Sequence, residues 1–384
     1  MKKGWEIKKL GEICEIMNGG TPDTNVSKFW DGKNLWITPK DMGKLESIYV
    51  DETLRKITDE GLKNSSAKIL PPNSIILSSR APIGHLAINT KPISTNQGCK
   101  GLVPKKGVDS LFLYYFLSKS VDLLNSLGTG ATFKELSGSK LGTVEISLPP
   151  LPEQQRIVAI LDEAFTAIAS AKANAEQNLK NAKELFESYL QEVFEKGNWE
   201  TKTLNEISEN LDSKRVPITK NLRVEGAIPY YGASGIVDYV ADYLFNEDLL
   251  CVSEDGANLL ARTYPIAFSI CGKTWVNNHA HILRFKNMVS QKFVELYLNS
   301  IVLDDFVSGM AQPKLNQSML NKIPIPFPSL KEQENVVDKL SLLSTEAKKL
   351  QNIYQQKIND LEELKKSILQ KAFNGELKTE TVLA

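Results

Sequence analysis

The stretch Leu148-Pro149-Pro150-Leu151-Pro152-Glu153-Gln154-Gln155-Arg156-Ile157-Val158 decides the fold. Prolines at 149, 150 and 152 exclude a helix interior or a central strand, because proline lacks an N–H and its ring clashes with the preceding turn. They predict a stiff extended connector. From 153 to 196 there is no proline, and glycine returns only at Gly197. Apolar residues fall at Ile157, Leu161, Ala164, Ile168, Ala171, Ala175, Ala182, Leu185 and Tyr189, the four-and-three spacing of a heptad seam. The spacing predicts one helix of ~40 residues, ~60 Å long at 1.5 Å per residue.

The same pattern occurs twice. Leu151, Glu153, Gln154, Val158 and Leu161 recur 179 residues later as Leu330, Glu332, Gln333, Val337 and Leu340, after a second proline run, Pro324-Ile325-Pro326-Phe327-Pro328. The second seam, Val336, Leu340, Leu343, Ala347, Leu350, Tyr354, Leu361, Leu364 and Ile368, keeps the register of the first. Both seams break at one matching position, Asn178 and Lys357. A polar residue there either fixes register or marks a frayed or partner-facing turn. The repeat extends upstream: Trp5-Glu6-Ile7-Lys8-Lys9-Leu10-Gly11-Glu12-Ile13 returns as Trp199-Glu200-Thr201-Lys202-Thr203-Leu204-Asn205-Glu206-Ile207. The copies agree at their ends and diverge between, with the first longer in the middle.

Within each copy, short apolar runs alternate with turn signals. Ile75-Ile76-Leu77-Ser78-Ser79 and Leu249-Leu250-Cys251-Val252-Ser253 are predicted strands, and 111–118 and 292–299 short helices. The expected fold class is α+β: a mixed domain over 1–148, a spacer helix over 149–196, a second mixed domain over 197–328, and a second helix with its tail over 329–384. A pseudo-twofold relation between copies would pack the two helices as an antiparallel coiled coil and bring Phe373 beside Trp5.

Composition narrows the function classes. The chain has 384 residues, 42% hydrophobic and 24% charged, which suits a globular protein of two or three domains. No apolar run approaches ~18 residues and the first residues lack the apolar segment of a signal peptide, so a cytoplasmic protein without a membrane span is expected. Cys14, Cys99, Cys251 and Cys271 form no CxxC pair, and His85, His279 and His281 are the only histidines. This argues against a metal site and a disulfide scaffold. Net charge is zero overall, with residues 1–148 at net +5 and 197–328 at net −2. A chain so weakly basic is not expected to hold nucleic acid alone.

No catalytic constellation emerges. Ala267-Phe268-Ser269-Ile270-Cys271-Gly272-Lys273-Thr274 approaches a phosphate-binding loop, but its first glycine is alanine and no helix opens after it. GxSxG, HExxH and GxGxxG are absent. What remains is a binding vocabulary. Arg80, at a strand end, either forks onto guanine or a phosphate or forms a surface ion pair. The run 94–100, which holds Asn96, Gln97 and Lys100, aligns with the run 276–281, which holds Asn278 and His279. Carboxamides there can pair with adenine, yet both residue types also suit turns. The small-residue loops 128–134 and 308–314 offer close backbone approach to a phosphate, with Lys134, Lys140 and Lys314 adding charge and Asn316 following. No catalytic or metal-ligating residue is assigned.

Taken together, Trp-Glu-x-Lys-x-Leu at a domain start and Pro-Leu-Pro-Glu-Gln-Gln-Arg-Ile-Val opening a long helix, duplicated once, resemble the specificity subunit of Type I restriction–modification systems. The resemblance covers essentially the whole chain, although the second helix start lacks the arginine. It implies a non-catalytic subunit whose two mixed domains are target-recognition domains. Each reads half of a bipartite double-stranded DNA site, and the coiled coil sets the gap. It further implies modification subunits that bind S-adenosylmethionine and methylate adenine, and restriction subunits that use ATP, with neither cofactor bound by this chain. It does not assign individual DNA-contacting residues. The alternatives are a specificity chain of another restriction class, a DNA-independent coiled-coil scaffold, and a stand-alone enzyme.

Overall fold

The proline runs do what their chemistry demands. In the computed structural model, which describes residues 4–130, 134–309 and 312–377, the first run follows the strand Glu145–Leu148 and leads into the helix Leu151–Lys196. Pro152 falls in the first turn, where the missing N–H has no helical partner. In the second copy the edge strand Ile325–Pro326 pairs with Thr201–Lys202, and the helix is Leu330–Phe373.

The chain forms two compact units. One is Met1–Asn174 with Lys357–Ala384, and the other is Ala175–Gln356. Each unit therefore holds a mixed domain, part of one long helix and part of the other, and the boundary falls inside both helices.

In the first unit a five-stranded sheet runs in the order Cys14–Asn18, Cys99–Pro104, Ile75–Ser79, Ile83–Asn89, Tyr49–Val50. A three-stranded sheet holds Trp30–Ile37 between Arg55–Ile57 and Ile93–Thr95. The strand Ile75–Ser79 is buried throughout and reads as a near-continuous apolar run for that reason. The helix Ser110–Lys119 packs Phe112, Leu113 and Phe116 into a core with Trp5, Ile157, Leu161, Leu369, Ala372 and Phe373. Phe373 thus shares a core with Trp5, as the repeat predicts.

The second unit repeats the scheme. Its main sheet runs Ser208–Asn210, Ala280–Phe285, Leu249–Ser253, Ala267–Ile270, and a second sheet runs Gly235–Val240, Glu225–Gly232, Lys273–Val276, Phe245–Asn246. Phe293, Val294 and Leu298 of the helix Met288–Ser300 share a core with Leu190, Phe194 and Leu340. The near-match to a phosphate loop is a turn between the strands Ala267–Ile270 and Lys273–Val276, with no helix behind it.

Within each unit the start of one long helix lies against the end of the other, so they run antiparallel. Lys172 meets Glu362 at 2.5 Å and Lys365 sits over the Phe165 ring in the first unit. In the second, Val193 and Phe194 share a core with Val336 and Leu340. The seam departs from expectation at Leu343 and Leu350 of the second helix, 38% and 40% exposed, and again near each helix end. Leu185 and Leu364 are 69% and 47% exposed, while Leu190 and Phe194, and Leu369 and Phe373, are buried. The packed face moves on because these last turns seat on the mixed domain: Phe194 rings meet Phe293 and Tyr297, and Phe373 meets Phe112 and Phe116. Asn178 and Lys357 are exposed in uninterrupted helix, so neither is a buried register pin or a frayed turn.

Gln154 and Gln333 weld each helix start to its domain. Gln154, fully buried, accepts from Asp109 N at 2.8 Å and donates to the carbonyls of Gly107 and Pro149 at 3.0 and 2.8 Å. Gln333 accepts from Ser290 Oγ at 2.7 Å and donates to the Pro328 carbonyl at 2.8 Å. The four cysteines are free thiols. No helix among the described residues is long and apolar enough to cross a membrane.

Candidate nucleic-acid interface

Three segments that the sequence singles out separately meet at one place in each unit. In the first, the strand Ile75–Ser79 ends at Ser79, whose N–H donates to the Gly98 carbonyl at 2.8 Å. Its carbonyl accepts from Leu136 N at 2.9 Å. Thr129 and Glu135 exchange a reciprocal backbone pair at 3.0 and 2.9 Å, which closes the small-residue loop. The chain then leaves through Arg80 and Ala81, and Ala81 takes a left-handed backbone at φ 50°. Alanine rarely adopts that conformation, and it turns the strand end outward beside Arg80.

The second unit makes the same bonds with different residues. Glu254 N donates to the His279 carbonyl at 2.9 Å, and the Glu254 carbonyl accepts from Leu315 N at 2.8 Å. Ser308 and Lys314 exchange the reciprocal pair at 2.9 and 2.7 Å. Isolated bridges join Arg80 to Glu135 in one unit and Asp255 to Lys314 in the other. Position by position, Ser79 corresponds to Glu254, Arg80 to Asp255, Ala81 to Gly256 (φ 107°), Gly98 to His279 and Glu135 to Lys314. The charges at the bridge are inverted.

The carboxamide turns also correspond. Asn96 Oδ1 accepts from Gly98 N at 3.0 Å, and Asn277 Oδ1 accepts from His279 N at 2.8 Å. Both oxygens hold a turn. The outward carboxamides are Gln97, which accepts from the Thr21 hydroxyl, and Asn278, which is exposed.

The other candidate residues take distinct places. Arg80 is half-exposed, 3.9 Å from Glu135, and Lys100 is 6% exposed with its ammonium 3.8 Å from the same carboxylate. Lys134 is exposed at the loop end. Lys140 instead donates to the Leu127 carbonyl at 3.1 Å and closes the end of the helix Val121–Leu127. His279 Nδ1 lies 2.7 Å from Asp255, and Lys314 lies 3.2 Å from Glu254. Asn316 caps the short helix Gln317–Leu320 by accepting from Met319 N. Residues 131–133 and 310–311 of the two small-residue loops lie outside the described residues.

Sequence reasoning missed the acidic half of the second site. Glu254 bonds Arg215 at 2.6 Å, and Asp212 bonds His281 at 2.6 Å. Burial, the largest influence on each carboxyl, pushes both up. The His281 hydrogen bond and charge, with the Ile282 N–H and Arg215, outweigh it at Asp212 and hold that group below its ordinary value. Arg215, His281 and Lys314 do the same for Glu254. Both groups are therefore carboxylates at neutral pH. The adjacent acids Glu254-Asp255 after a strand end are the local signal for Glu254, and a search for cations and amides passes over it. No group of His, Cys, Asp and Glu among the described residues is arranged to hold a metal ion.

Comparison with known proteins bears on what this arrangement does. The family model for the Type I restriction modification DNA specificity domain matches residues 2–181 and again 196–362. The MjaIX specificity subunit of a Type I restriction enzyme from Methanocaldococcus jannaschii is 32% identical, over 98% of this chain and 94% of its own length. The EcoKI specificity subunit of Escherichia coli K12 is 23% identical over 98% and 90%. Among solved structures, one described as underlying complex assembly and conformational transition of the type I R-M system superposes with TM-score 0.80 at 18% identity, covering 98% of this chain and 99% of the other. The HsdS subunit from Thermoanaerobacter tengcongensis gives 0.64 at 18% identity, over 98% of both. At that identity the two structures speak for the fold alone.

Proposed function

The chain belongs to the family of Type I restriction modification DNA specificity domains, and from that premise we infer how its residues serve the role. It is the DNA sequence-specificity subunit of a Type I restriction–modification system and has no catalytic step of its own. It assembles with modification and restriction subunits. The family match favours neither a specificity chain of another class nor a DNA-independent scaffold.

Residues 1–148 and 197–328 are the two readers, each taking half of a bipartite double-stranded site in the cell interior. The helices of 149–196 and 329–384 hold them. S-adenosylmethionine and ATP belong to the partner subunits. The observation that carries the assignment of readers is the repeated backbone frame. Four backbone hydrogen bonds and one asparagine side-chain bond recur in both units, while the side chains around them differ in charge and shape. A constant frame with variable tips is what two readers of different half-sites require. Around it, Arg80 and Lys134 in the first unit and Lys314 in the second meet phosphates or base edges, with Gln97 and Asn278 placed for base edges, and the buried Lys100 adds its charge from behind them. Asn96 and Asn316 hold turns, Lys140 holds a helix end, and His279 is engaged by Asp255.

The test is methylation mapping in host DNA, with residues 14–148 replaced by the corresponding segment of another family member. One half of the methylated site should change and the other stay. Joint change of both halves would refute independent readers. The chain alone, with no net charge, should bind DNA weakly and with a shallow salt slope, and tighten on adding the modification subunits.

A further inference from the structure

The frames share one more position. Lys100 pairs across the sheet with Leu77, and His281 pairs with Val252, the residue that corresponds to Leu77. Both side chains are buried, at 6% and 1% exposure. Burying a cation is costly without compensation, yet a basic residue stands here twice.

The surroundings of His281 fix its state. Nδ1 lies 2.6 Å from Asp212 Oδ2, and Nε2 lies 2.7 Å from the Leu315 carbonyl oxygen. Both partners are acceptors. Asp212 Oδ1 already accepts from Ile282 N at 2.8 Å, and the Arg215 guanidinium is 3.6 Å from Oδ2. A neutral imidazole has a single N–H and would aim a lone pair at one of these oxygens. Only the imidazolium donates to both.

We infer that His281 is a positioning residue of the second reader, a buried imidazolium that ties residues 314–316 to the strand Ala280–Phe285 and serves there as Lys100 serves in the first reader. The inference rests on the DNA-facing assignment of this surface. The charged groups around the ring are Asp212 and Arg215 from the turn after Leu211, Glu254 from the end of Leu249–Ser253 (3.9 Å from Nδ1), and Lys314, which reaches Glu254. His279 and Asp255 form a separate pair beside them, and the Cys251 thiol is buried nearby. Asp212, Glu254, Arg215 and Lys314 cancel. The imidazolium therefore adds one positive charge to that cluster, while Asp255, which stands where Arg80 stands in the first site, is held apart by His279. Without that proton the charge would be gone and the Leu315 carbonyl would lack its donor, freeing Lys314 and Asn316 on either side.

The experiment uses the full chain assembled with its modification subunits, and DNA duplexes in which only one half-site is intact. Between about pH 6 and about pH 9, affinity for the second half-site should fall roughly tenfold or more, while affinity for the first stays level. His281→Lys should bind the second half-site without the pH dependence, and His281→Gln should bind it weakly throughout. His279→Gln should keep the pH dependence, which separates the two histidines. Nitrogen NMR of the histidine-labelled chain should show His281 protonated on both ring nitrogens at neutral pH. A neutral His281 ring, an equal decline for both half-sites, or equal weakness of the lysine and glutamine variants would overturn the inference. A doubly protonated ring with no half-site-dependent binding at any pH would instead overturn the DNA-facing assignment.

Discussion

The first reader gathers Arg80 and Lys100 around one loosely held carboxylate, Glu135, at 3.9 and 3.8 Å. At the positions of Ser79 and Arg80 the second reader carries Glu254 and Asp255, drawn into tight pairs with Arg215 and His279 at 2.6 and 2.7 Å. The hydrogen bonds that build the surface are the same in both. On the proposed reading, the fold sets where DNA is met and a handful of side chains set what is met. The first site keeps its cations available, and the second spends most of its charge on itself.

The comparison is sharpest where the copies should behave alike. Phe194→Ala and Phe373→Ala remove equivalent anchors and should each cost about 3–5 kcal/mol, measured by denaturant unfolding. Hydrogen exchange should place the damage of Phe373→Ala in the first unit, around Phe112 and Phe116. Unequal losses would mean that the two helix ends are not equivalent supports.

The helix welds should differ in degree. Gln154→Leu strands three partners, the buried Pro149 carbonyl and the part-buried Asp109 N–H and Gly107 carbonyl, and Gln333→Leu strands two buried ones. At about 1–3 kcal/mol for each orphaned group, the first should be the more destabilising, by about 1 kcal/mol or more. Thermal unfolding of the two variants checks the order. The reverse order would show that Gln154's third bond contributes nothing.

Binding should separate the copies. Glu135→Gln releases Arg80 and Lys100, and should raise the assembled complex's affinity for its DNA several-fold and steepen its salt dependence. Glu254→Gln loosens Arg215 and Lys314 from their carboxylate and should lower affinity for the second half-site. Unchanged affinity in Glu135→Gln would place Arg80 and Lys100 away from DNA. The smallest effect belongs to the displaced seam. Leu185→Ala and Leu364→Ala should change stability by less than about 0.5 kcal/mol, because neither is packed. A loss of 2 kcal/mol or more in unfolding experiments would restore them to the seam.

Much of the architecture was legible because proline and periodicity are local signals. The connectors before Leu151 and Leu330, the strands Ile75–Ser79 and Leu249–Ser253, and the duplicated helices all follow from residues close in the chain. The three segments of each site were legible as pieces, through Arg80, Gln97, Asn278 and Lys314. Their meeting was not, since it depends on backbone bonds between residues tens of positions apart. Leu185 and Leu364 kept a perfect heptad phase, and nothing local reveals that a helix end changes partner from helix to domain. Asp212, Arg215 and Glu254 carry no motif. Their importance comes from surrounding one buried ring.

The make-up of the two units has a consequence for synthesis. The first unit's core includes Leu369, Ala372 and Phe373, whereas the second unit has all of its residues once Gln356 is made. At roughly 5–20 residues per second, a ribosome that has finished Asn174 needs roughly 10–40 s to reach Lys357. The reader whose synthesis begins first is therefore the last to close. Until then Phe112, Phe116 and Ile157 lack their final cover, and this is the interval in which a nascent chain offers a chaperone, or another nascent copy of its own carboxy-terminal helix, an apolar face to hold.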